Sequence, residues 1–516
     1  MVERLLLLTV VSGCAPDSDY LLAIDPITPP NLAMSGISPD VTLVHRAGAT
    51  ASLFPLGALA SAEFTDLPPL ADGTIGLLLS DEGTASETYD PGTLVGYGEA
   101  PLGGPLASGG EERRVSMLLT EFAGAGDLGE APRRDAPLQG AVALTPSGAA
   151  YLFGGQREGE PHDTIQRVPD IRGGDWRLES VGSMPEIGNA SGVSVLHTAT
   201  ALDDGRVLVT GGRPEYFAIS DNRSNVFVFD TATDEVVWQA SNGMNPSRSR
   251  HQAVKLRSGR VLLFGGWQGA GVDAELGTFQ IFDPDDLRFT GSGTAAANPL
   301  GANLTEAGGD GAIVCGGYRF DFGLNRLIAT TACERISLNG DLIPFPDLPE
   351  PVGMGAMAAL PDGRILLAGG VVGDIDIPFE DGFLVGANVG NATDRAWLYE
   401  PSSGAWREVG RMGEARAGAV AMPSGDGRFI VLGGAQKAGV MIAEDEGPVF
   451  CPEVFDPATA AFSSGGSCST PSSGAFPPVS VQAGIGAFVV QGHIAVGGDE
   501  TGGQAYGIVG LAPTGL

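Results

Sequence analysis

Positive charge is what this sequence has least of. Its 516 residues include 29 Lys and Arg against 62 Asp and Glu, for a net charge of −33 and a pI near 4.3. Such a surface repels phosphate backbones, which argues against a nucleic-acid partner, and it favours solubility. Charged residues of either sign make up only 18% of the chain, and His, Cys and Trp number five each. No segment keeps a helical period, and none has the roughly 18 unbroken apolar residues of a membrane span. Helical bundles and spanning helices are thereby set aside. No Gly-x-Ser-x-Gly elbow, His-Glu-x-x-His pair or phosphate loop occurs, so these hydrolase, zinc-protease and nucleotide signatures are missing. Turn residues are plentiful, with 79 Gly and 36 Pro, a composition that favours an all-β protein. A chain this long exceeds one ordinary domain unless its architecture is modular.

Modularity is visible in one recurring stretch. His251 to Trp267 reads HQAVKLRSGRVLLFGGW, and related copies start at Gly140, His197, Gly355, Ala417 and Ala483, with a shortened one ending at Tyr318. Glycine pairs result at Gly154, Gly211, Gly265, Gly316, Gly369, Gly433 and Gly497, counting the first of each, at steps of 57, 54, 51, 53, 64 and 64 residues. A period near 50 marks a propeller or solenoid. Asp-Gly or Ser-Gly between apolar strands is a hairpin signal, because Gly accepts the positive φ such turns need. The strand after that turn (VLLF, VLVT, ILLA, FIVL) is a continuous apolar run, as expected where both faces are covered. Most glycine pairs are followed by a second hairpin: Phe227–Asp230 leads to Trp238, Phe279–Asp283 to Phe289, Trp397–Glu400 to Trp406 and Val454–Asp456 to Phe462, with Trp176 and Phe345 in the same place in repeats one and four. These aromatics are expected to pack between neighbouring sheets.

Apolar strand, Asp-Gly-Arg, apolar strand, Gly-Gly, then aromatic-Asp-Pro and a spaced Trp resembles the Kelch repeat and the central propeller of the galactose oxidase group. The resemblance runs over residues 131–516 and implies a seven-bladed Kelch-like β-propeller. Its seventh blade is incomplete at the C-terminal end, so a strand borrowed from between Arg113 and Leu138 is expected, with Arg114–Phe122 one donor. Copper in the galactose oxidase group is held by two Tyr and two His, with one Tyr crosslinked to a Cys. The five His here (His45, His162, His197, His251 and His493) do not present that set, which argues against copper oxidase activity. Kelch-type propellers also include a sugar mutarotase, which would need only a few acid–base groups in the central pocket.

The chain opens MVERLLLLTVVSGCAPDSDY. One Arg ahead of a short apolar run, then small residues, is the layout of a secretory signal. Val11-Ser12-Gly13-Cys14 resembles the lipobox of bacterial lipoproteins, which implies a signal peptide over 1–13, cleavage before Cys14 and lipid on that residue. The expected location is the bacterial outer membrane or cell surface, with the membrane contacted through the N-terminal lipid only. Residues 14–39, rich in Pro, Ser and Asp, read as a tether. Residues 40–130 lack the repeat and carry strand-like runs at Val41–Val44, Ala62–Thr65, Thr74–Leu79, Leu94–Tyr97 and Arg114–Phe122, the pattern of a small β-rich domain such as a sandwich.

In an exported chain an even number of cysteines beyond Cys14 points to disulfides. Their places in repeats four and six pair Cys315 with Cys333 and Cys451 with Cys468. The long segments after the fifth and sixth glycine pairs, Val371 to Asp394 and Ala435 to Pro448, read as protruding acidic loops. Asp374, Asp376, Glu380 and Asp381 in one, and Glu444, Asp445 and Glu446 in the other, could hold calcium, although a solvated loop explains them as well. Residues after the glycine pairs occupy equivalent sites and are expected to form a ring on one face: Gln156, Arg213, Trp267, Tyr318, Val371, Ala435 and Asp499, joined by Arg248, Arg250 and His251. Arg, Trp and Tyr side by side suit a contact surface. The resulting expectation is a monomeric, non-enzymatic binding protein of the cell envelope with a protein or glycan ligand. The alternatives are a sugar mutarotase and a structural envelope lipoprotein.

Overall fold

In a computed structural model, every regular element of the described residues is a β-strand. The described residues are 8–9, 20–27, 40–47, 50–58, 70–81, 94–106, 111–121, 125–127, 140–145, 148–157, 160–170, 179–188, 191–214, 222–241, 243–267, 277–307, 311–321, 323–376, 379–380, 383–384, 389–439, 446–449, 451–465, 488–490, 493–497 and 506–510.

Seven strands ahead of the repeats form one sheet, in the order Leu8–Thr9, Tyr20–Ile27, Glu111–Glu121, Leu94–Pro101, Thr74–Ser80, Asp40–Ala47 and Thr50–Ala58. Alternation assigns its faces: Val41, Leu43, Ile75, Leu77 and Leu79 join one cluster, and Val44, Leu78 and Tyr97 another. Tyr20–Ile27, placed in a tether by its composition, is instead a strand in parallel register with Glu111–Leu118. Leu22 and Ile24 are fully buried there, and this burial outweighs the turn-rich flanks. Glu111–Glu121 serves two neighbours, its first eight residues facing Tyr20–Ile27 and its last three Gly96–Gly98. The expected strand at Ala62–Thr65 lies outside the described residues.

Four-stranded antiparallel sheets follow, one per repeat, spanning 141–183, 198–240, 252–295, 303–344, 356–408 and 420–464. In the second, Thr198–Ala201, Arg206–Thr210, Val226–Asp230 and Glu235–Ala240 lie in chain order, with Thr200 opposite Leu208, Leu208 opposite Val228 and Val228 opposite Trp238. Second strands such as Val261–Phe264, Ile365–Ala368 and Phe429–Leu432 are buried throughout, whereas the fourth strand is largely exposed, alternating with half-buried positions in Glu235–Ala240. Two of the aromatics cross between sheets as expected, with Trp238 5.7 Å from Phe282 and Phe345 4.6 Å from Tyr399. Phe289 and Phe462 lie against Phe282 and Phe455 of their own sheets, and Trp176 lies outside the described residues.

Two devices account for the repeat. In Asp-Gly-Arg turns the Gly has φ near +85°, with values of 89° at Gly205 and 88° at Gly363. The Asp carboxylate accepts both the backbone N–H and the guanidinium Nε of the Arg, as in Asp204–Arg206, Asp362–Arg364 and Asp426–Arg428. The glycine pair joins neighbouring sheets. Its second N–H donates to a carbonyl of the next repeat, in Gly155–Ser194, Gly212–Arg248, Gly266–Pro299, Gly317–Val352 and Gly370–Arg416, at 2.8–3.0 Å. A Cβ on the first Gly would stand 2.3 Å from the Arg248 oxygen at Gly211 and 2.0 Å from the Val352 oxygen at Gly316, so only glycine lets the sheets approach.

The first strands lie against one another in sequence, from Ala141–Leu144 through Thr198–Ala201, Gln252–Lys255, Asn303–Glu306 and Ala356–Ala359 to Val420–Pro423, and Phe488–Val490 lies against Ala141–Leu144. Radial sheets around a shared axis are the arrangement of a β-propeller. One further four-stranded sheet joins Phe488–Val490, His493–Gly497 and Tyr506–Gly510 to Ala125–Asp127, which sets Ile508 opposite Gly126. The borrowed strand is therefore Ala125–Asp127, while Arg114–Phe122 stays, through Glu121, in the N-terminal sheet.

The segments expected as protruding loops carry short strands that link repeats. Ile375–Asp376 pairs with Arg326–Ala329 of the repeat before, and Val389–Asn391 pairs with Ala435–Gly439 of the repeat after. Cys315 and Cys333 face each other across paired strands and are disulfide-bonded. Cys451 is also disulfide-bonded, and Cys468 lies outside the described residues.

Candidate functional site

In each repeat the first strand ends its sheet, so among the described residues one backbone edge of it faces the axis without a strand partner. Six such strands surround a channel of about 530 Å³. Their sequences, TATA, QAVK, NLTE, AMAA, AVAL and VAMP, are small because strands that converge on an axis leave little room. Thr198, Thr200, Gln252 and Thr305 line the channel, and Glu306 is the one carboxylate among its described lining residues. Unpaired backbone N–H and C=O groups must be satisfied by water or a ligand, so the wall offers donors and acceptors with little charge.

A smaller recess of about 90 Å³ opens where the first strands begin. Its rim is formed by Leu196, Arg250, Gly301, Met354 and Gly418, each fifteen residues ahead of a glycine pair. All five have positive φ, between 53° and 69°. They are also linked around the axis: Arg250 N–H donates to the Leu196 carbonyl, Met354 to Gly301 and Gly418 to Met354, at 2.6–2.9 Å. Left-handed backbone costs a non-glycine residue about 1–2 kcal/mol, and burial of Leu196 and Met354 offsets that cost. This collar has no residue-type signature, because its members share a backbone conformation and nothing else. The readable signal was the small-residue composition of the first strands.

The ring expected after the glycine pairs exists as backbone pairing. Val195 bridges Arg213, Ser249 bridges Trp267, Leu300 bridges Tyr318 and Ala417 bridges Ala435. Among the described residues its side chains do not form an exposed face, and that expectation is corrected. Arg213, Arg248, His251 and Tyr318 are buried, because each lies where the chain folds back over the gap between sheets. The Arg248 guanidinium donates to the carbonyls of Gly265 and Thr278 and to Thr278 Oγ1, and the Tyr318 hydroxyl donates to Val371. Trp267 is half-buried against the Leu300–Tyr318 cluster. Gln156 lies next to the end of its strand, opposite Pro161, Val371 pairs with Gly353, and Asp499 lies outside the described residues. Arg250, half-buried, reaches the channel mouth.

His197 and His251 also line the mouth. Burial pushes the His197 imidazole down to about 4. His251 is pushed well below its usual range by burial, then by the charge of Arg248 and by His197. Burial lowers Arg248 to about 10, which leaves it cationic at neutral pH.

A copper centre like that of the galactose oxidase group does not fit these residues. The Nε2 atoms of His197 and His251 are engaged by the Phe153 carbonyl and by Thr198 and Thr210. The Tyr318 hydroxyl is bonded to Val371, and Cys315, Cys333 and Cys451 are in disulfides. Of the acidic residues considered for calcium, Asp374 and Asp376 face Arg326 at 3.6 and 2.6 Å. Asp381, Glu444 and Asp445 lie outside the described residues, and the side chains of Glu380 and Glu446 are not described.

No protein-family model matches the chain, and no curated protein matches it. Among solved structures it is similar to YjhT, at 14% identity and a TM-score of 0.43, over 64% of this chain and 99% of that one. It is also similar to a fungal alcohol oxidase of the AA5 family in complex with copper, at 17% identity and a TM-score of 0.45, over 75% of this chain and 76% of that one.

Proposed function

We propose that this chain is a seven-bladed Kelch-like propeller, closed by Ala125–Asp127, that serves as a non-enzymatic binding protein of the bacterial envelope. Cys14, outside the described residues, carries the anchoring lipid after removal of residues 1–13. That removal takes Leu8–Thr9 from the N-terminal sheet and leaves Tyr20–Ile27 as its edge strand. A second disulfide joins Cys451 to Cys468. The ligand is the neutral, hydroxyl-rich end of an envelope glycan, seated in the axial channel. One observation carries this reading: among its described residues the channel wall combines free strand edges, threonine hydroxyls and small side chains with one carboxylate. Hydroxyl groups can exchange bonds with such a wall in either sense, and about 530 Å³ is within the usual range of ligand cavities.

The test is a glycan array at neutral pH with the whole chain, then titration of any hit against Thr200→Trp, which fills the channel from one wall. Binding should fall at least tenfold in a variant whose melting temperature is near the parent's. Unchanged affinity, or an array without a hit, overturns the reading. Catalysed anomer exchange of a bound sugar, followed by NMR, would replace it with the mutarotase alternative. Metabolic labelling with a fatty-acid analogue, lost in Cys14→Ser, tests the anchor separately.

A further inference from the structure

Two histidines hold the same place in consecutive repeats, fourteen residues ahead of Gly211 and Gly265, where the next three repeats have Ala302, Gly355 and Ala419. Both rings cross a gap between sheets. His197 Nε2 lies 2.9 Å from the Phe153 carbonyl of the preceding sheet. A carbonyl only accepts, so Nε2 carries the proton and Nδ1 is bare. His251 Nε2 lies 2.8 Å from Thr210 Oγ1 and 3.0 Å from Thr198 Oγ1, also of the preceding sheet. The two residues are 1% and 4% exposed, and among the described residues neither Nδ1 has a hydrogen-bond partner.

The charged groups around them are mostly cationic. Arg248 acts on His251 from its own segment, Arg223 acts on His197, and Arg250 lines the same recess. Glu306 lines the same channel as His251, and among the described residues no carboxylate bonds either ring. A second proton on either ring would therefore create an N–H without an acceptor and a buried cation among cations, which this environment opposes.

We propose that the gaps between sheets one, two and three form an acid-opened seam at the channel mouth: protonation of His197 and His251 parts these sheets, while the gaps lined by Ala302, Gly355 and Ala419 hold. The inference rests on the channel reading only in its consequence, release of a bound ligand in acid.

The sign follows from the histidines' depressed affinity for protons. In the closed state His197 titrates at about 4 rather than at 6.5, so an open seam binds the proton more readily. Closure is fully favoured above about pH 6.5 and loses that support as pH falls toward 4. At pH 5 the opening equilibrium for His197 alone shifts by on the order of thirtyfold relative to pH 7.5.

Amide hydrogen exchange on the ligand-free whole chain at pH 7.5 and 5.0, corrected for intrinsic rates, tests the seam independently of any glycan. Peptides covering 150–157, 194–210 and 248–264 should open in acid, with 356–368 and 420–432 unchanged. His197→Gln/His251→Gln, which keeps an amide within reach of the Nε2 partners, should abolish the difference. Acid opening spread evenly around the ring, or opening that persists in the variant, overturns the proposal. If the double variant does not fold, His251→Gln alone must lower the acid response at 248–264, and no change there sinks it.

Discussion

At Gly265 one added methyl decides whether two sheets can meet. The backbone has φ of +63°, and a Cβ would lie 2.4 Å from the Pro299 carbonyl oxygen. Gly404 has the same φ of +63°, with nothing within 4 Å of an added Cβ. The two positions separate conformational cost from steric cost. Gly404→Ala should cost about 1 kcal/mol, the price of left-handed backbone alone. Gly265→Ala must also move a neighbouring backbone and should cost more than about 4 kcal/mol. Urea unfolding of both variants checks this, and equal losses would show that the glycine pair is not an inter-sheet contact. The glycines themselves were legible in the sequence. Their partner carbonyls, seventeen residues ahead of the next pair, were not, because Ser194, Arg248, Pro299, Val352 and Arg416 have no side-chain property in common.

At the scale of the element, each sheet grades from small to large outward. First strands are rich in Ala and Thr, second strands have apolar centres such as VLLF and FIVL, and the aromatics stand further out, where radial sheets diverge. The fourth sheet adds a covalent link. Cys315 and Cys333, 18 residues apart, are bonded across its second and third strands. A loop of that length stabilises mainly by restricting the unfolded chain, so Cys315→Ala/Cys333→Ala should lose about 3 kcal/mol. Thiol labelling of the native chain before reduction should leave Cys315, Cys333 and Cys451 unmodified, and labelling at Cys315 would refute the bond. This pairing was legible because both cysteines fall at fixed places in the repeat. The acidic segments after the fifth and sixth glycine pairs were not legible as ribbons, since strands of two to five residues leave little periodic trace. Some pair within their own segment, as Phe379–Glu380 does with Phe383–Leu384, and others with neighbouring repeats, as Ile375–Asp376 does with Arg326–Leu327.

For the whole molecule the question is closure. The last four-stranded sheet takes its outer strand, Ala125–Asp127, from just beyond the N-terminal sheet, whose final strand ends at Glu121. Residues far apart in sequence thus complete one sheet, and such contacts stabilise the ring at the cost of loop-closure entropy. Replacing Gly126 with Pro removes a donor from that edge. Limited proteolysis should then cut within 488–510 well before the parent chain is cut there, with the sheets at 198–408 still protected. Equal protection would mean that the ring closes in another way. Tyr20–Ile27 makes the same point: its own composition reads as a tether, and pairing with Glu111–Leu118, far along the chain, makes it a strand.

The sequence alone determined the all-β class, the repeat, the turn chemistry and the buried second strands, because each depends on residues within one repeat. Which strand completes the last sheet, which residues surround the channel, and where Arg213, Arg248, His251 and Tyr318 point were decided only in three dimensions. Those outcomes depend on contacts between repeats, where backbone carbonyls and φ angles act and residue type is nearly silent.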